Sequence, residues 1–142
     1  MIIPDINLVL YAHDSRSPFF SRANPWWEGL LNGVESVGLP WVVCLAFIRL
    51  TTQANVYGKP NTPEEAIETV SEWFKQPTVR AIAPGDRHLP LMKGLLIEAR
   101  AAAKLVTDAH LAALAMEYGA VLHSHDRDFQ RFSGIRLHDP LI

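Results

Sequence analysis

The first twelve residues read MIIPDINLVLYA, an apolar run that carries one carboxylate, Asp5, and an amide, Asn7, two residues later. A stretch this apolar must be buried, and an ionised Asp buried without a partner costs on the order of several kcal/mol. Asp5 therefore either caps a helix or holds something charged. Ile2, Ile3, Leu8, Val9 and Leu10 flank it, so residues 1–5 read as a buried strand running into a helix that begins near Asn7.

The same alternation continues along the chain. Pro18 to Gly33 sets Phe19, Phe20, Ala23, Trp26, Trp27, Leu30 and Leu31 at helical spacing and stops at Asn32-Gly33. Val37 to Val43 reads as a second short strand, followed by a helix from Leu45 to Thr52. In Asn61-Thr62-Pro63-Glu64-Glu65, an N-cap, a first-position proline and a capping-box glutamate open a helix that stops before Pro77. Val79 to Ala83 is a third strand and residues 87–101 a helix; Thr107-Asp108 opens another, with Gly119 as its stop. Ala120 to Ser124 is a fourth strand and Arg136 to His138 a short last one. Such alternation predicts an α/β fold with a mostly parallel central sheet of four to five strands and helices on both faces. Function then gathers at the carboxyl ends of the strands.

The 142 residues, 49% hydrophobic and 20% charged, suit one compact domain. No apolar stretch approaches the ~20 residues of a membrane helix, and the N-terminus shows no basic region followed by a small-residue cleavage site. A soluble, cytoplasmic protein with no membrane partner is expected. Cys44 is the only cysteine, which excludes an internal disulfide and a Cys-rich zinc site. With 13 basic against 15 acidic residues, a polyanion would have to find a local basic patch or a metal.

The acids fall where the sheet rule puts function. Asp5 ends strand one, Asp126 and Asp128 follow the fourth strand, and Asp108 starts the helix leading into it. Brought within a few ångströms, like charges are unfavourable unless a cation lies between them or some are protonated. Oxygen-only ligands suit Mg²⁺ or Mn²⁺, which would polarise a phosphate and activate water. Helix capping is the plainer alternative for each acid: Asp108 beside Thr107 at a helix start, Asp128 at the turn into Phe129, Asp5 before its helix.

Three blocks, Asp5-Ile6-Asn7-Leu8-Val9-Leu10, residues 105–115 (LVTDAHLAALA) and residues 122–129 (LHSHDRDF), resemble the PIN-domain nucleases, above all the VapC toxins of bacterial toxin-antitoxin pairs. Leu45-Ala46-Phe47-Ile48-Arg49-Leu50-Thr51-Thr52 resembles a branch abundant in mycobacteria. The resemblance implies a three-layer α/β/α sandwich over residues 1–142 and a Mg²⁺- or Mn²⁺-dependent endoribonuclease. It also implies a homodimer, held inactive by a cognate VapB-type antitoxin. Asp5, Asp108 and Asp126 match the catalytic, metal-binding acids and Asp128 an auxiliary metal-binding acid; Ser124, Asn7 and Thr107 stand at supporting positions. One departure stands out: Phe47 occupies the place of a usual glutamate, so one tightly held ion and weak or Mn²⁺-preferring activity are expected.

Arg49, Lys104, Arg127 and His110 are candidate RNA contacts, as are Arg16 and Arg22; Arg49 alternatively pairs with the acids, and His110 alternatively packs in its helix. His123 and His125 share a strand face and lack a third zinc ligand. Of Trp26 and Trp27, which diverge by ~100° on a helix, one ring is expected in the core and the other at a partner surface. The leading function is a ribonuclease toxin cutting a structured RNA, such as a tRNA or rRNA, at a single-stranded loop. Two alternatives are a PIN-like binding module that lost turnover with its glutamate and a haloacid-dehalogenase-type phosphatase. The phosphatase wants a second Asp where this chain has Asn7.

Overall fold

The computed structural model describes residues 1–54 and 58–142. Five short strands, β1 (Ile2–Pro4), β2 (Val37–Pro40), β3 (Val79–Ile82), β4 (Val121–His123) and β5 (Arg136–His138), form one sheet in the order β3-β2-β1-β4-β5. Every pairing is parallel. Among the described residues six α-helices connect them: α1 (Ile6–His13), α2 (Phe20–Leu31), α3 (Trp41–Thr51), α4 (Pro63–Phe74), α5 (His88–Glu98) and α6 (Val106–Tyr118). α1 packs on α2 and α3, α3 on α4, and α5 on α6. Right-handed crossovers send the first four helices to one face of the sheet and the last two to the other, which makes the α/β/α sandwich.

The core follows from the sequence pattern. Ile3, Val37, Leu39 and Leu122 are fully buried in the central strands. α6 buries six of the seven positions from Ala109 to Ala115, all but His110, so it lies in the interior over most of its circumference. It ends where expected, at Gly119 with φ 57°, a left-handed stop that favours glycine. Under α1 to α4, the rings of Trp27 and Phe47 meet Trp73 at 5.1 and 4.7 Å between centroids.

The helix after β2 starts earlier than its sequence suggests. β2 ends at Pro40, which has no N–H to continue the ladder, and Trp41-Val42-Val43 belong to α3 rather than to the strand. An apolar run of this length fits either element. Likewise α6 begins at Val106 after a 3₁₀ turn over Ala103–Leu105, so Thr107 lies within its first turn and makes no cap. The Thr62 capping box does form: its hydroxyl accepts from the Glu65 amide, and the Glu65 carboxylate accepts from the Thr62 amide, both at 3.2 Å. Thr62→Ala is expected to cost about 1 kcal/mol and to lower Tm by a few degrees in a thermal melt, because the Glu65 amide loses its hydroxyl acceptor.

Candidate metal centre

In the order β3-β2-β1-β4-β5, the connections leave β1 and β4 in opposite directions, and a crevice opens beyond their carboxyl ends. Pro4 stands opposite His123 in the register, so the next residues, Asp5 and Ser124, emerge side by side. The Asp5 amide donates to the His123 carbonyl at 2.9 Å, and the Ser124 hydroxyl donates to Asp5 Oδ2 at 2.8 Å. The same hydroxyl accepts from the Asp126 amide at 2.9 Å, and Asp126 Oδ1 accepts from the Asp128 amide at 2.8 Å. Asp108 reaches this place from the first turn of α6.

Asp108, Asp126 and Asp128 come together: one oxygen from each lies within 4.8 Å of the others, and all three residues are half-buried. Asp5 lies outside that group, 3% exposed beneath it. Burial pushes Asp5 up to about 6 against the Ser124 hydroxyl and, more weakly, the Ile6 amide, which favour its charged form, with Asp108 and then Asp126 adding to the rise. Asp108 is pushed to about 6 by burial, then by the charges of Asp126 and Asp128. Among the described residues, no Lys or Arg forms an ion pair with these acids. Uncompensated carboxylates with oxygen-only donors and room for water fit a divalent cation.

Capping explains little of this arrangement. Asp5 stands at the N-cap position of α1, yet its side chain makes no cap bond there; Asp108 makes none either. At the turn into Phe129 it is Asp126, not Asp128, that caps, by accepting from the Asp128 amide.

The supporting residues divide. Ser124 ties two acids together, Asn7 is half-buried in the first turn of α1, and Thr107 is exposed beside Asp108. Phe47 is 1% exposed and packs on His13 at 5.0 Å and Trp73 at 4.7 Å, so this position adds no oxygen to the acid set. Arg49, Lys104 and Arg127 are exposed, and Arg49 does not pair with the acids. His123 and His125 part company. His123 Nδ1 accepts from Trp26 Nε1 at 3.1 Å, while His125 Nδ1 meets Asp139 at 2.7 Å. Burial, then His138, pushes His123 down to about 4 and keeps it neutral. Trp26 is therefore half-buried against the sheet end, and Trp27 is the core ring, as expected.

Sequence reading missed several groups near the acids. The phenol of Tyr11 is raised by burial and then by the charges of Asp5 and Asp126, which places it within their field. One and a half turns of α1 separate it from Asp5, a spacing that carries no motif. His88 and Glu117 form a buried pair behind His110 and gave no local signal, because 29 residues separate them.

Residues 2–135 match the PIN domain family model. Among curated proteins, Ribonuclease VapC33 of Mycobacterium tuberculosis (strain H37Rv) is 43% identical over 141 residues, 99% of each chain. Ribonuclease VapC37 of the same strain is 39% identical over 140 residues, 99% of this chain and 97% of that one. The solved structure of VapBC-1 from nontypeable Haemophilus influenzae superposes with a TM-score of 0.70 at 16% identity, covering 100% of both chains. That likeness carries the fold, and the family match removes the ground for a dehalogenase-type phosphatase. A β1–β4 crevice with three converging aspartates and a buried fourth, a full-length sequence match and a shared fold agree: this chain belongs to the PIN-domain family, in its VapC ribonuclease branch.

Proposed function

We propose that this chain is a Mg²⁺- or Mn²⁺-dependent endoribonuclease, the toxin of a VapBC-type pair, with Asp108, Asp126 and Asp128 as metal ligands and Asp5 as the buried acid behind them. The observation that carries the reading is the convergence of three carboxylate oxygens within 4.8 Å above a buried fourth, in a chain 43% identical to a named ribonuclease. A bound ion supplies Lewis-acid polarisation of the scissile phosphate and a lowered water pKa. The chain's own residues do the rest. Asp108, Asp126 and Asp128 hold the charge at the crevice, Ser124 fixes Asp5 against Asp126, and Arg127 and Lys104 offer phosphate contacts on the exposed rim. The substrate is a structured RNA cut at a single-stranded loop, where the backbone can enter the crevice.

The protein acts in the cytoplasm as a single domain, and a VapB-type antitoxin restrains it. Trp41, Leu45 and Leu89, all more than half exposed, give α3 and α5 the apolar surface that a homodimer needs. No described helix is long and apolar enough to cross a membrane.

The test is cleavage of total bacterial RNA by the antitoxin-free protein in Mg²⁺, Mn²⁺ or EDTA, with the product ends mapped. Discrete cuts that need the metal support the reading. Intact RNA at every Mn²⁺ concentration, with antitoxin binding preserved, selects a binding module instead. Ser124→Ala removes one bond to Asp5 and one from Asp126, and is expected to lower kcat roughly tenfold and weaken the apparent metal affinity. An unchanged Mn²⁺ titration in this variant would remove Ser124 from the site.

A further inference from the structure

The crevice has a side pocket that the site residues themselves help to wall. A cavity of ≈ 220 Å³ is lined by Ser124 and Asp126 together with His125, Arg127, Gln130 and Leu137, and Asp139 and Ile142 complete it. Two residues of the candidate metal centre are thus part of its wall, so whatever fills it lies next to the place where a phosphate would meet the cation.

One wall is a ring that is held still. His125, whose side chain is 30% exposed, has its Nδ1 on Asp139 Oδ2 at 2.7 Å and packs edge-to-face on Phe19 with 4.8 Å between centroids. Asp139 is fixed in turn: its Oδ1 accepts from the Leu141 amide at 2.9 Å, Leu141 is buried, and Arg22 donates to the Leu141 carbonyl. A ring that loses little freedom on binding is a good stacking platform, and an imidazole stacks whether or not it is protonated. Half-buried Leu137 adds an apolar wall. Gln130, on the 3₁₀ turn Arg127–Arg131, is exposed, and its carboxamide has no hydrogen-bond partner among the described residues.

The charges choose between the parts of a nucleotide. Asp126 and Asp139 set two carboxylates against the one guanidinium of Arg127, which disfavours a phosphate inside the pocket. A nucleobase is uncharged and planar and forms its hydrogen bonds at its edge.

We propose that this pocket seats the nucleobase adjoining the scissile phosphate, with His125 as its stacking surface and Gln130 as the specificity-determining residue at its edge. This rests on the ribonuclease reading above and deepens it. A carboxamide offers one donor and one acceptor side by side, so it pairs with a base edge and discriminates by the atoms that edge presents.

The metal-free protein tests the pocket without any cleavage. It is titrated with adenosine, guanosine, cytidine and uridine, with ribose 5-phosphate as the control, while NMR follows the Gln130 side-chain amide and the Leu137 methyls. Saturable shifts of both signals are expected with nucleosides, unequal among the four, and none with ribose 5-phosphate. His125→Ala should weaken the binding severalfold and His125→Phe, which keeps an aromatic face, should restore most of it. Signals that stay put with every nucleoside, or that move only with ribose 5-phosphate, overturn the proposal whether or not RNA is cut.

Kinetics on an oligonucleotide carrying the strongest mapped site complete the test. Gln130→Ala is expected to raise KM about tenfold with a smaller change in kcat, and to level the base preference at one position beside the cut. Gln130→Glu offers acceptors only, so the preference should move toward guanine, whose N1–H and N2–H₂ are adjacent donors. Gln130 is exposed, so these variants keep the fold. An unmoved KM and cut pattern overturn the base-reading role; if Gln130→Ala then weakens only antitoxin binding, the pocket belongs to the antitoxin. Nucleosides that bind a protein unable to cut RNA defeat the ribonuclease reading and leave the base pocket standing, whereas cleavage without nucleoside binding does the reverse.

Discussion

Asp108→Asn is expected to lower metal-dependent RNA cleavage by about 10³-fold, measured as kcat on an oligonucleotide substrate in saturating Mn²⁺. Asp108 is one of three carboxylates whose oxygens lie within 4.8 Å, and it alone reaches the crevice from α6. Metal-ion catalysis lowers the barrier by several kcal/mol, and about 4 kcal/mol corresponds to 10³ in rate. Asn keeps the shape of the side chain and removes its charge, so the fold should survive. Cleavage within about tenfold of wild type would show that Asp126 and Asp128 suffice and would remove Asp108 from the metal centre.

The same centre predicts a pH profile. Asp5 and Asp108 both titrate near 6, so protons compete with the cation below that value and apparent metal affinity falls as the pH drops through it. A flat Mn²⁺ affinity between about pH 5 and pH 7 would contradict the assignment.

Asp5→Asn should abolish cleavage while stabilising the metal-free protein. The folded chain raises this carboxyl from 3.8 to about 6, so the native state binds the proton more tightly than the unfolded chain does. The stability this contributes is fully present below 3.8 and is lost as the pH rises through about 6. Above that, ionised Asp5 costs the native state about 3 kcal/mol, at 1.36 kcal/mol per pKa unit. Asn carries no charge at any pH and can still accept from Ser124. Near neutral pH the variant is expected to melt roughly 10 °C above the metal-free wild type, and at about pH 4 the two should coincide. Adding Mn²⁺ should raise the wild type's Tm and narrow the gap, because the cation neutralises what burial leaves uncompensated. A variant less stable than wild type near neutral pH would mean that Asp5 is held by partners stronger than the Ser124 hydroxyl.

Such a gain from removing a site residue is the usual mark of strain kept for function. Phe47 belongs to the same ledger with the opposite sign. Its ring sits in the core on His13 and Trp73, so the position that would hold a further carboxylate stabilises the fold instead.

Much of the molecule was legible in one dimension. Local signals fixed the alternation of strands and helices, the Thr62 capping box and the Gly119 stop, because capping and left-handed turns depend on neighbouring residues alone. The four aspartates were legible too, since each sits just past a strand or at a helix start, and the sheet rule gathers such positions. Boundaries inside apolar runs were not: Trp41-Val42-Val43 fits a strand or a helix by composition, and the proline that ends β2 and the packing of α3 decided for the helix. Nor could the sequence say which acid stands in front and which behind. That depends on the register that sets Pro4 against His123 and so delivers Asp5 to the Ser124 hydroxyl beneath the other three. The Glu117, His88 and His110 chain lay wholly beyond sequence reading. Its bonds join the start of α5 to two turns of α6, and a hydrogen bond across 22 or 29 residues leaves no periodicity behind; only the packing of the two helices creates it.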